Sequence, residues 1–104
     1  GPNHPNVATT LSNLALLLSA QGNYDEAKPL YERAIDIDEK TYGLNHPEVA
    51  TDLNNLAGLL KAQKKYKEAR PLLQHALDIL VAKLPPQHPH IKITRMSLND
   101  VDNQ

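Results

Sequence analysis

Three His-Pro pairs, His4-Pro5, His46-Pro47 and His88-Pro89, stand 42 residues apart, and no other feature restricts the fold of this chain so strongly. Laid over each other without a gap, residues 3–44 and 45–86 are identical at 22 of 42 positions. The shared residues include Asn-His-Pro, Val-Ala-Thr, Leu-x-Asn-Leu-Ala and Tyr-x-Glu-Ala-x-Pro-Leu. A third copy opens at Gln87 and fades after Asp100. The chain therefore reads as repeat 1 (3–44), repeat 2 (45–86) and a partial third repeat or capping helix (87–104), with the array cut off on its C-terminal side. Gly1-Pro2 resembles the remnant of a protease cleavage site, and the only Met is the internal Met96, so the sequence reads as a fragment.

Inside each unit the apolar residues keep a helical period. Val7, Leu11, Leu14, Ala15 and Leu18 are repeated by Val49, Leu53, Leu56, Ala57 and Leu60, which defines a helix A. Pro5 and Pro47 fit its first turn, where a missing N–H costs nothing, and the preceding His is the expected cap. A helix B follows, opened in the first unit by Asn23-x-x-Glu26 as a capping box. Its apolar face is Ala27, Leu30, Tyr31, Ala34 and Ile37, repeated by Ala69, Leu72, Leu73, Ala76 and Ile79. Gly43, as a left-handed residue, and Pro85-Pro86 end the two copies. The pattern predicts helices over 5–20, 24–41, 47–62 and 66–83, and a fifth from Pro89 to just before Asp102 with Ile91, Leu98 and Val101 on its apolar face. Pro29 and Pro71 fall inside helix B and predict a slight bend. Each unit is a helical hairpin with more apolar face than it can bury alone, so hairpins stack, and the array curves with helices A on its inner wall. The alanines mark the close helix crossings.

Leu11-x-x-Leu14-Ala15-x-x-Leu18, followed by Gly22-x-Tyr24-x-x-Ala27 and Ala34, resembles the tetratricopeptide repeat over residues 3–84. The 42-residue period and the longer helix B, with Asn-His-Pro-x-Val-Ala and Leu-Asn-Asn-Leu-Ala, are similar to the repeats of kinesin light chains. The resemblance implies an all-α fold, a right-handed superhelical array of antiparallel hairpins. It also implies a protein–protein interaction module that holds a partner's peptide along helices A. Carried over, the groove positions are Thr9, Ser12, Asn13, Leu16, Ser19 and Ala20, then Thr51, Asn54, Asn55, Gly58, Lys61 and Ala62. An Asn amide can donate to and accept from an extended backbone at once. Asn13 and Asn55 can equally bond a neighbouring helix and hold repeats in register, whereas Asn54 reads as the purely ligand-facing one. The positions of a carboxylate clamp known from other tetratricopeptide domains read Ser12, Leu16, Asn55, Ile93 and Ser97, of which only Asn55 fits.

Composition excludes more than it assigns. One domain is all that 104 residues can form. A net charge of −1 provides no field for nucleic acid or an anionic membrane, and no apolar run approaches the ~20 residues of a membrane span. The lack of Cys removes disulfides and thiolate chemistry, and leans towards a cytoplasmic location. His4, His46 and His88 are one repeat apart, too far to share a metal ion, and no catalytic set or cofactor motif emerges: the chain reads as a non-enzyme with no cofactor. Charge is uneven, with −3 on repeat 1 and +2 on repeat 2. Lys61, Lys64, Lys65, Lys67 and Arg70 gather at the second hairpin turn, either as a solvated loop or as a dock for an acidic peptide. The alternative function is an assembly module that self-associates through exposed end hairpins. Leu80, Val81 and Leu84, together with Arg95 in place of Leu11 and Leu53, point to an uncovered C-terminal end and to a homodimer or exchanged hairpin at high concentration.

Overall fold

The structure, a computed structural model, describes residues 5–104 as five helices: α1 (Pro5–Ala20), α2 (Tyr24–Tyr42), α3 (Pro47–Ala62), α4 (Tyr66–Lys83) and α5 (Pro89–Asp102). The expected helices are all present, within a residue of their expected ends. His4, read as the cap of the first helix, and Gly1-Pro2 lie outside the described residues. In chain order α1 packs on α2, α2 on α3, α3 on α4 and α4 on α5, while α1 also touches α3. That is the stacking required of two hairpins and one further helix. The radius of gyration is 13.2 Å, close to the ~13 Å of a compact chain of 100 residues.

Helix starts and stops follow local chemistry. His46 Nδ1 accepts from the Glu48 amide at 3.0 Å, and His88 Nδ1 accepts from the His90 amide at 3.1 Å, each just ahead of a first-turn proline. Both capping expectations hold. The capping box at Asn23 does not form: Asn23 has φ −88° and ψ 62°, outside the extended region that aims an N-cap side chain at the next amides, and it makes no cap bond. Asn23 instead closes the preceding turn, its amide donating to Leu18 O at 2.8 Å while Gly22 N donates to Ser19 O. The second hairpin repeats this closure with Lys65 N to Leu60 O and Lys64 N to Lys61 O. These are paired Schellman closures, and the residue at their centre must take positive φ. It is Gly22 (φ 82°) in one turn and Lys64 (φ 61°) in the other. Gly43 also has positive φ, but with ψ at 166° it is not the left-handed helical residue expected there. Helices α2 and α4 run unbroken through Pro29 and Pro71, whose rings are solvent-exposed.

The core lies between the layers. Ala15, Ala27, Ala57 and Ala69 are fully buried beside Tyr31, Leu56, Leu60 and Leu73, so the alanines do mark close crossings. A second cluster joins Val49, Leu53, Ala76, Ile79 and Leu80 to Ile91 of α5, and Ala8, Ala34 and Ile37 form a small third one. Two expectations fail here. Leu80 is only 1% exposed because Ile91 of α5 lies over it and Leu84 is half-buried, so of the expected C-terminal patch Val81 alone, at 50%, stays open. The apolar period places Leu14 on the core face, but it is 46% exposed, because among the described residues no helix lies against that side of α1. Ile91, Leu98 and Val101 are buried as expected.

Candidate functional site

Helices α1, α3 and α5 are the three A-type helices, and two depressions run between them. One, of about 320 Å³, lies between α1 and α3 and is lined by Leu16, Ser19, Ala20, Asn54, Asn55, Gly58 and Ala62, with Tyr24, Tyr31 and Leu59 behind them. The other, of about 270 Å³, lies between α3 and α5 and is lined by Thr51, Asn54, Asn55, His90, Ile93 and Ser97. Asn54 and Asn55 belong to both, so they form the ridge between two neighbouring hollows. Of the residues carried over from the family pattern, Leu16, Ser19, Ala20, Thr51, Asn54, Asn55, Gly58 and Ala62 are thus brought together. Thr9, Ser12, Asn13 and Lys61 line neither hollow.

Chemistry sorts these residues further. Asn54 is not purely ligand-facing: its Nδ2 donates to Thr94 Oγ1 at 2.9 Å, and that hydroxyl in turn donates to His90 O at 2.8 Å. Thr94 is fully buried, and through this bond Asn54 ties α3 to α5. Asn55 is half-buried and makes no side-chain hydrogen bond among the described residues. Gly58 leaves a gap, since a Cβ there would meet nothing within 4 Å. Leu16 is 62% exposed at one end of the wall and Ile93 58% at the other, giving a surface apolar at both ends and amide-bearing in the middle. Thr51 Oγ1 donates to Pro47 O at 3.2 Å, one turn back along its own helix. Burial behind the α1–α3 hollow pushes the Tyr31 phenol above its ordinary pKa, partly offset by the Ser19 hydroxyl beside it.

The basic stretch is partly neutralised. Lys61 Nζ lies 3.6 Å from Asp100 Oδ2, and Arg70 Nε donates to Asp102 Oδ1 at 2.7 Å, both bridging to α5. A larger depression of about 600 Å³ opens beside Lys64, Lys65, Lys67, Arg70 and Asp102, at the hairpin turn and away from the inner wall. Half-buried Tyr66 and buried Val101 form the apolar part of its lining.

One feature went unread in the sequence. Asp38 of α2 and Asp52 of α3 are both 5% exposed and meet where repeat 1 stacks on repeat 2. Burial, the Asp38 carboxyl that hydrogen-bonds to it, and the nearby Glu48 charge together push the Asp52 pKa up to about 9. Asp52 is therefore a neutral acid at pH 7. The sequence did carry a signal. Asp52 interrupts the apolar face between Val49 and Leu56, and one repeat later the same two positions read Leu80 and Thr94.

Among the described residues no three His, Cys, Asp or Glu side chains converge on a metal position, and no helix is long and apolar enough to cross a membrane. A tetratricopeptide-repeat family profile matches residues 6–80. BtubC (BKLC) of P. vanneervenii superposes with a TM-score of 0.92 at 23% identity, over 97% of this chain and 41% of that one. A kinesin-light-chain-type protein of Podosopora anserina with nearly identical TPR-like repeats superposes with a TM-score of 0.84 at 26% identity, over 96% of this chain and 47% of that one. A single-substitution variant of the latter gives 0.83 at 26% identity, over 94% and 46%. No curated protein matches the sequence. The chain spans less than half the length of these solved structures.

Proposed function

Because the chain belongs to the tetratricopeptide-repeat family, with repeats of the kinesin-light-chain-like kind, we propose that its inner wall binds an extended peptide segment of a partner protein. Proteins of this family are generally non-catalytic protein–protein interaction scaffolds. The finer assignment to this wall rests on one observation: two adjoining hollows share a ridge on which Asn55 keeps its amide unengaged, flanked by Leu16 and Ile93. An extended peptide offers a donor and an acceptor at every residue, and one amide side chain can meet both. Apolar anchors near the two ends would seat in the hollows by Leu16 and Ile93. Lys61, held by Asp100, adds a weaker preference for acidic peptides than an unpaired lysine would.

Two hollows make a short contact, and interfaces below ~1,200 Å² in total are weak and transient. Micromolar or poorer affinity is the expectation for this chain. A peptide-array screen followed by titration tests the reading: Asn55→Ala should lower affinity several-fold, in keeping with the ~1 kcal/mol of one hydrogen bond, and Leu16→Glu should lower it further. Peptide binding insensitive to both changes would mean that the inner wall is not the site.

A further inference from the structure

The two junctions between A-type helices use repeat-equivalent positions, 42 residues apart, and those positions are filled differently. Between α3 and α5, Lys61 and Asp100 meet across the junction, with Nζ 3.6 Å from Oδ2. Their counterparts between α1 and α3 are Ser19 and Gly58, which cannot form an ion pair and which both line the hollow of about 320 Å³. A Cβ at Gly58 would meet nothing within 4 Å, so the space that an aspartate side chain takes in the next repeat is empty here. Behind the hollow, Tyr31 stands where the next repeat has Leu73. All three helices around it, α1, α2 and α3, are present, so these residues and not a missing neighbour leave it open. One polar atom in it has no partner. Ser19 Oγ is buried beside the Tyr31 phenol without reaching hydrogen-bond geometry, and nothing else among the described residues engages it. No charged side chain lines the hollow.

Resting on the peptide-binding reading of the inner wall, we propose that the α1–α3 hollow is its specificity pocket: left open by Ser19 and Gly58, it takes one peptide side chain with an apolar stem and an uncharged hydrogen-bonding tip, while Lys61 and Asp100 close the equivalent place one repeat on. The stem packs against Leu16, Ala20 and Ala62, which narrows the anchor at the Leu16 end to a side chain that is apolar along its length and polar at its end. The tip meets the Ser19 hydroxyl, which can donate or accept. A carboxylate or an ammonium would be buried with no opposite charge beside it. A hydrocarbon tip would shut Ser19 Oγ off from water and leave it unpaired. Glutamine and tyrosine satisfy both conditions, whereas glutamate and phenylalanine, close to them in shape, each fail one.

The test is selection from a random decapeptide library with wild type and two exchange variants. Wild type should favour Gln over Glu, or Tyr over Phe, at one position by several-fold, the effect of one hydrogen bond gained or one buried charge avoided. Ser19→Lys with Gly58→Asp installs the pair of the next repeat, and it should erase that preference while the helix content, read by circular dichroism, stays unchanged. Lys61→Ser with Asp100→Gly opens the closed place. It should add a second such position about three residues away, since packed helices lie roughly 10 Å apart and an extended peptide advances ~3.3 Å per residue. The proposal is overturned by selected peptides with no Gln or Tyr preference at any position, by a preference that survives the first exchange, or by an opened variant that gains none. If wild type selects no peptide, the groove reading fails by itself, and propionamide and p-cresol, which stand for the two side chains, decide the pocket. Added alone, either should shift the Ser19 and Gly58 amide resonances of wild type, and propionate should not. The absence of such a shift overturns this proposal as well.

Discussion

Two adjacent asparagines in α3 have different work, and a one-residue step around the helix separates them. Asn54 points its amide at Thr94 of α5, while Asn55 faces the ridge between the hollows. Asn54→Ala should therefore lower unfolding stability by about 1 kcal/mol, read as a shifted urea midpoint, whereas Asn55→Ala should leave that midpoint nearly in place. The turns make a second prediction. Gly22 and Lys64 are repeat partners with positive φ, and a side chain there pays a steric penalty that glycine escapes. A Cβ at Gly22 would meet nothing within 4 Å, so the strain is in the backbone and not in packing. Lys64→Gly should raise stability by up to about 1 kcal/mol in the same assay, and Gly22→Ala should lower it by a similar amount.

The elements are held by two junctions of unlike chemistry. Between α4 and α5, Leu80 and Thr94 fill the positions that Asp38 and Asp52 occupy between α2 and α3. Asp52 has a folded-state pKa of about 9 against an ordinary 3.8, so between those values the folded chain binds a proton that the unfolded chain does not. The pair's contribution to stability is thus fully present below the ordinary value and is lost as pH rises through about 9. Asp38, through its contact with Asp52, and the Glu48 charge both act in this direction. Denaturation midpoints should fall between pH 5 and pH 8.5 in wild type. Exchanging the pair for its repeat counterparts, Asp38→Leu with Asp52→Thr, should flatten that dependence and raise stability at the higher pH, as replacement of buried charged pairs by packed groups commonly does. A variant with the wild-type pH slope would show that the slope comes from other groups.

For the whole molecule, α5 decides whether two hairpins are a stable unit. It covers Leu80 with Ile91, extends the first core cluster with Leu98 and Val101, and ties down Lys61 and Arg70 through Asp100 and Asp102. Ending the chain at Pro86 should expose that surface, and its melting, followed by circular dichroism, should become broad and several degrees lower. A sharp transition at the original temperature would mean that repeats 1 and 2 stand without it. The same helix completes the second hollow with His90, Ile93 and Ser97, so peptide binding should weaken together with stability.

The sequence by itself determined the period, the five helices and nearly all their ends, and the alanine crossings, because a repeated apolar pattern, His-Pro starts and turn residues are local signals repeated two or three times. The resemblance to the tetratricopeptide repeat also pointed to Leu16, Asn54, Asn55 and Gly58, which line the two hollows, although Ser12 and Asn13, the repeat partners of the asparagines, do not. Only the tertiary structure decided which equivalent residues are equivalent in fact. Leu14 and Leu56 share a pattern, but one is open and the other buried, because burial depends on what lies across the interface and not on the helix that carries the residue. Leu80 was covered by a helix whose reach depends on packing, and Asn54 found Thr94 forty residues away. The Asp38–Asp52 pair likewise spans two helices, and no periodicity within either one reports that two carboxyl groups will meet across a junction.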